Sequence, residues 1–146
     1  MKIHLDNCCF NRPYDDPNYG NIYLETQAKL QIQERIKNKQ IDLIWSTMID
    51  FENSKNPEKV VQLEIANWRN LAVEIVHQDQ QIIDYANKLM RIGLHKKDAL
   101  HISCAVAVHC DYFITVDKGI IKKMTQISEI VIINTIDFIH ILEAQK

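Results

Sequence analysis

The feature that most constrains this chain is a set of short apolar runs that do not alternate with polar residues: Ile41–Trp45, Tyr112–Val116 and Ile130–Ile133. A strand with one wet face reads apolar, polar, apolar; a nearly continuous apolar strand is covered on both faces. Segments of helical pattern separate these runs, and strands alternating with helices imply a mostly parallel sheet with helices on both sides. The expected fold class is therefore α/β. In such sheets a ligand site lies beyond the carboxyl ends of the strands, near the point where strand order reverses.

In chain order, Lys2–Asp6 reads as a short strand that ends in an acid. A loop rich in Asn, Asp, Pro and Gly follows over Asn7–Gly20. Asn21–Lys39 has apolar residues at helical spacing (Leu24, Ala28, Ile32, Ile36). Ile41–Trp45 is the second strand, and Ser46 stands in N-cap position for a helix through about Ser54. Pro57 opens a helix to about Leu71. Ala72–Val76 reads as a strand or an extended connection, and Asp79–Arg91 as an amphipathic helix stopped by Gly93. A largely apolar helix over Asp98–Cys110 leads to the strand Tyr112–Val116. A short helix at Ile120–Met124, the strand Ile130–Ile133 and a closing helix at Ile136–Ala144 complete the reading.

Composition narrows the choices. At 146 residues a single domain spanning 1–146 is expected, and only 3 Gly and 3 Pro argue against a turn-rich all-β fold. Seventeen Lys+Arg against nineteen Asp+Glu give a net charge of −2, unlike a protein that wraps nucleic acid by charge alone. Four of those acids gathered in a metal site would leave the remainder net positive, room enough for a local basic groove. An acid at position 6 interrupts any secretory signal, and Asn134, Asp137 and His140 break the apolar stretch Ile130 to Leu142, so a cytoplasmic chain with no membrane span is expected. His101 and Cys104 stand one helical turn apart and, with Cys8 or Cys9, offer a zinc set. No Cys-x-x-Cys spacing accompanies them, so reduced, mostly buried thiols are the expectation.

The acids carry the chemistry. Asp6 closes the first strand, and Asp117 follows Tyr112–Val116 with Thr115 two residues before it, on the same side of an extended chain. Trp45, Met48, Ile49 and Glu52 fall at i, i+3, i+4 and i+7, which aims Glu52 at the protein and leaves Asp50 on the polar face. An inward acid needs a partner, because an unpaired buried carboxylate is costly. Asp98 opens its helix in line with Ile102 and Ala105, and His101 lies one turn on as a structural or supporting residue. Capping is the plain alternative for Asp98. Carboxylates brought together repel unless a counter-charge joins them, and oxygen ligands suit Mg²⁺ or Mn²⁺.

Ile3-His4-Leu5-Asp6-Asn7, Ser46 through Glu52, Asp98-Ala99-Leu100-His101 and Tyr112 through Asp117, in this order, resemble the PIN-domain family of metal-dependent ribonucleases, which includes the VapC-type toxins of bacterial toxin–antitoxin pairs. The opening Leu5 to Pro13 looks like one bacterial branch of that family. The resemblance implies a three-layer α/β/α sandwich with a mostly parallel central sheet. It implies Asp6, Glu52, Asp98 and Asp117 as catalytic, Mg²⁺- or Mn²⁺-binding acids, with Ser46, Thr115 and Asn7 supporting them. RNA as substrate, a small antitoxin as partner and a homodimer follow from the same likeness. His101, Ile102 and Cys104, where relatives commonly have small residues, depart from the pattern and bear on the lining of the site.

Arg12, Lys96, Lys97 and Lys118, with Lys122 and Lys123, flank the acids in sequence and suit a groove that holds phosphates; solvated surface charge is the alternative for each. Asp15 and Asp16 read as turn residues or as helpers of a second metal. Two other functions compete with the nuclease. A catalytically silent PIN-like module would bind nucleic acid or protein and keep its acids as structure. A phosphoacceptor receiver fits worse, because Asn7 rather than a second acid follows Asp6.

Overall fold

The computed structural model describes residues 1–11, 15–16 and 18–145. One five-stranded sheet runs in the order β3-β2-β1-β4-β5, built from β1 (Lys2–Leu5), β2 (Asp42–Ser46), β3 (Glu74–Val76), β4 (Tyr112–Ile114) and β5 (Val131–Ile133). Every pairing is parallel. The helices are α1 (Asn7–Asn11), α2 (Ile22–Lys37), α3 (Thr47–Asn53), α4 (Lys59–Asn67), α5 (Gln80–Arg91), α6 (Lys96–Ala107), α7 (Lys118–Ile121) and α8 (Thr135–Ala144). Short 3-10 turns cover Trp68–Leu71 and Met124–Gln126.

The unbroken apolar strands have the expected consequence: each face of the sheet carries its own core. Ile3, Leu5, Leu43, Trp45 and Ile114 pack with α2 and α8 through Ile32, Ile36, Phe138 and Ile139. Ile44, Phe113 and Ile132 pack on the other face with α5 and α6 through Ile82, Leu89, Ile102 and Ala105. Successive strand residues serve opposite faces, as the two-residue period of a strand requires. The three-layer α/β/α sandwich follows. Among the described residues no helix is long and apolar enough to cross a membrane.

Several boundaries differ from the sequence reading. The first five residues of the expected loop form α1, whose Cys9 and Phe10 are buried beneath the sheet. Burial of two adjacent apolar side chains outweighs the turn-forming composition around them. Trp45 lies in β2, as the strand Ile41–Trp45 expects, but β2 runs on to Ser46, so the helical face argued for Glu52 begins only at Met48. Pro57 stands before the Glu58 N-cap rather than in the first turn, and the helix it precedes gives way to a 3-10 turn at Trp68. Helix α6 starts at Lys96, which places Asp98 inside the first turn rather than at the cap. After Asp117 the helix comes earlier than expected, over Lys118–Ile121.

The strand order places β1 in the middle. From β1 the chain builds outward through β2 and β3, then returns across α5 and α6 to pair β4 on the opposite side of β1. Strand order therefore reverses between β1 and β4, the crevice where open parallel sheets bind ligands.

Candidate active site

Asp6 leaves β1 at that crevice, its backbone N–H donating to the Ile114 carbonyl of β4 at 2.8 Å. The side chain is buried. Its Oδ2 accepts from Thr115 Oγ1 at 2.8 Å and from the Cys8 thiol at 3.3 Å, and its Oδ1 accepts from Asn7 N–H at 2.8 Å. Thr115 Oγ1 also accepts from Asp117 N–H at 3.1 Å, so one hydroxyl ties the end of β1 to the segment after β4. Asp117 is exposed and caps α7, its Oδ1 accepting from Gly119 N–H at 2.7 Å.

Glu52 reaches the crevice from α3 and Asp98 from α6. Between them stands His101, fully buried, with Nε2 2.6 Å from Glu52 Oε1. The ionised carboxylate accepts there, so Nε2 carries the proton and Nδ1 is left buried with no partner among the described residues. Burial pulls the His101 imidazole down, but the Glu52 bond and the fields of Asp6, Glu52 and Asp98 outweigh it and raise its pKa. Burial pushes Glu52 up; the His101 bond and charge, Lys97 and the side chain of Asn7 more than offset this and hold it low. The inward acid thus has its partner, and that partner is a histidine the sequence offered only as a supporting residue.

The remaining carboxylates feel one another. Asp6 is raised, chiefly by burial, against the pull of His101, Thr115 and Cys8. Asp98 is pushed up to about 6, first by burial and then by the charges of Asp6, Asp117 and Glu52. Asp98 thus feels the charges of the carboxylates that follow β1, sit on α3 and follow β4.

The oxygen-rich donor set suits a hard divalent cation, and the Asn7 Oδ1 beside Asp6 is a buried oxygen with no partner among the described residues. Among those residues no group of three His, Cys, Asp or Glu side chains is arranged to enclose an ion as it stands. Glu52 Oε1 is held by His101, Asp117 Oδ1 by its helix cap and Asp6 Oδ2 by Thr115. Fit is thus met in chemistry and charge, though the described side chains are not grouped around one point.

Other expected residues take different places. Ser46 sits at the N-cap of α3 but its hydroxyl makes no capping bond; it lies buried, 3.4 Å from His4 Nε2. His4 is a buried residue the sequence reading passed over as strand: it stacks on Phe113, meets His101 edge-on, and is pulled down to about 3 by burial. Its only outward sign was a polar residue inside an apolar strand. Asp50 is not a free solvent-facing acid: it accepts from Trp45 Nε1 at 2.9 Å and pairs with Arg69 at 3.4 Å. Lys96, Lys97 and Lys118 are exposed, and Lys97 acts on Glu52. Arg12 lies outside the described residues. Asp16 closes a turn by accepting from Asn18 N–H at 2.9 Å. Cys9, Cys104 and Cys110 are buried, and Cys8 is partly so.

No protein-family model matches this chain, and no curated protein matches its sequence. Among solved structures, it is similar to a chain in the crystal structure of VapBC2 from Rickettsia felis bound to a DNA fragment from their promoter. The likeness has a TM-score of 0.57 at 18% identity and covers 92% of this chain and 98% of that one. At that identity the likeness is one of fold, and the fold of this chain is a PIN-like α/β/α sandwich.

Proposed function

We propose that this protein is a Mg²⁺- or Mn²⁺-dependent endoribonuclease that hydrolyses RNA phosphodiester bonds, and that it is the toxin of a type II toxin–antitoxin pair. The observation that carries this reading is that Asp6, Glu52, Asp98 and Asp117 lie about the strand-order switch point, near enough for Asp98, pushed up to about 6 first by burial, to feel the charges of the other three. Structural proteins seldom gather four carboxylates in a cleft, because the mutual repulsion costs stability. The structural likeness to a chain of VapBC2 supports an antitoxin as partner. A single 1–146 unit, a homodimer and a cytoplasmic location belong to the same proposal.

In this reading the four acids hold the ion. When bound, such an ion polarises the phosphodiester and lowers the pKa of attacking water. Thr115 and Asn7 fix Asp6 from both of its oxygens, so the carboxylate is positioned before any ligand arrives. His101 holds Glu52 in the same way. Lys96, Lys97 and Lys118 supply positive charge for the RNA backbone beside the acids. Ser46 acts at one remove, through His4 and the sheet face beneath His101.

The test is cleavage of a mixed RNA pool with Mn²⁺ by the wild type, Glu52→Gln and Asp98→Asn, with ion binding followed by calorimetry. The expected result is Mn²⁺-dependent cleavage that falls at least about 100-fold in either variant while circular dichroism stays unchanged. Full activity in either variant overturns the assignment. A wild type that neither binds Mn²⁺ nor cuts points instead to a silent binding module.

A further inference from the structure

Beside the acids, α3, α6 and the segment after β3 line an open pocket of about 500 Å³. Met48 and Leu100 form its apolar floor, both nearly fully buried. Phe51 forms a wall with 48% of its surface exposed. Lys96 and Lys97 stand on the rim, and Gln78 offers a side-chain amide at the edge. Lys55 adds a third ammonium, 4.5 Å from the centre of the Phe51 ring. The cavity adjoins the acids directly, since Phe51 precedes Glu52, Lys97 precedes Asp98, and the Lys97 charge is felt at Glu52.

We propose that this cavity is a subsite for one nucleotide of single-stranded RNA flanking the cleaved bond, with its base stacked against Phe51 and its phosphate held by Lys96 and Lys97. The inference rests on the nuclease reading for the word cleaved, but the binding it describes stands apart from cleavage. An aromatic face with cations around it is the recurring platform for unpaired bases, and an apolar floor excludes the water that would compete for the stack. The volume falls within the roughly 300–1,000 Å³ of small-ligand sites. Gln78 is placed to read a base edge and give the site a sequence preference. A peptide could also lie on an apolar wall, but Lys96 and Lys97 in the lining and Lys55 over the Phe51 ring are charge-matched to a polyanion.

The experiment uses the full-length protein in EDTA, where cleavage does not occur, and RNA hexamers carrying 2-aminopurine at each position in turn. The expected result is quenching at one position of the bound hexamer. Phe51→Ala should remove that quench and weaken binding roughly five- to 100-fold, the range of one base–aromatic stack. Phe51→Trp should restore both. Replacing Lys96 and Lys97 together with Ala should lower the slope of log affinity against log salt by about 1 to 2. Equal quenching at all positions, or Phe51→Ala binding as tightly as wild type while folded, overturns the proposal. So does a change of oligomeric state in Phe51→Ala, which would make the cavity a protein contact. If the hexamers bind through Phe51 but no RNA is ever cut, the nuclease reading fails and the subsite stands. If RNA is cut and Phe51→Ala cuts the same bonds with the same KM, the subsite fails and the nuclease stands.

Discussion

His101, with no exposed surface, lies 2.6 Å from Glu52, whose side chain is 20% exposed. The histidine faces inward from α6 and meets an acid from α3, so the bond joins two helices. Removing the imidazole leaves a half-buried carboxylate beside Asp6 and Asp98 with its nearest counter-charge gone. His101→Ala is expected to cost about 3 kcal/mol in urea unfolding at pH 7. Glu52→Gln, which keeps an acceptor for Nε2, should cost about 1 kcal/mol. Equal losses in the two variants would mean that a neutral acceptor cannot stand in for the Glu52 carboxylate, and that the charge carries the whole bond.

Thr115 spends one hydroxyl on two neighbours, donating to Asp6 and accepting from Asp117 N–H. Thr115→Val keeps the shape and leaves the buried Asp6 Oδ2 with only a thiol donor, at an expected cost of about 1–3 kcal/mol. Thr115→Ser should recover most of it. Hydrogen exchange gives a second readout: the Asp117 amide should lose protection in the Val variant and regain it in the Ser variant.

Lys29 is buried on α2, with its ammonium 5.7 Å from the Phe10 ring and 5.9 Å from the Trp68 ring. Burial lowers its pKa to about 8. The folded pKa lies below the unfolded one of 10.5, so between those values the unfolded chain binds more protons and stability rises with pH. Below pH 8 the buried charge is a standing cost, partly relieved by the two rings. Lys29→Met should therefore stabilise the protein at pH 7 by about 2 kcal/mol, an advantage that shrinks from pH 8 upward and is gone above about 10.5. A wild-type–variant difference that stays constant from pH 7 to 10.5 would refute this.

If the four carboxylates hold a divalent ion, the ion binds the folded state alone. Mn²⁺ at 100 times its Kd should add about 2.7 kcal/mol to unfolding stability, and EDTA should remove it. Asp6→Asn should abolish the increment. Mn²⁺ that leaves the thermal midpoint of the wild type unmoved would count against the ion site directly, without reference to any substrate.

Much of the architecture was legible in the sequence, because continuous apolar strands and helical spacing are backbone-scale patterns set by burial. The two-sided sheet, its parallel strands and the placing of Asp6 and Asp117 past strand ends all follow from them. What stayed hidden depends on contacts between segments distant in the chain. Nothing around Asn7–Asn11 shows that Cys9 and Phe10 will be covered by other elements, so composition favoured a loop. Trp45 reads as the last strand residue, and its pairing with Ile75 bears that out, but β2 continues to Ser46, which pairs with Val76. The bond between His101 and Glu52 spans 49 positions, and Asp50 finds its indole and guanidinium partners at positions 45 and 69. Each acid was visible; which partner would claim it was not.

The central place of β1 has a consequence for synthesis. β1 precedes both of its partners and must be flanked on both sides, by β2 and, only after β3, α5 and α6 have followed, by β4. A growing chain can pair β1 with β2 early, but Asp6 gains its Thr115 donor and its neighbour Asp117 only after residues beyond 115 have left the ribosome. The acids therefore stay scattered until residue 117 has been made, and come together only as the crossover from β3 to β4 closes. Whatever chemistry they perform is withheld from every nascent fragment and switched on by the completion of folding itself.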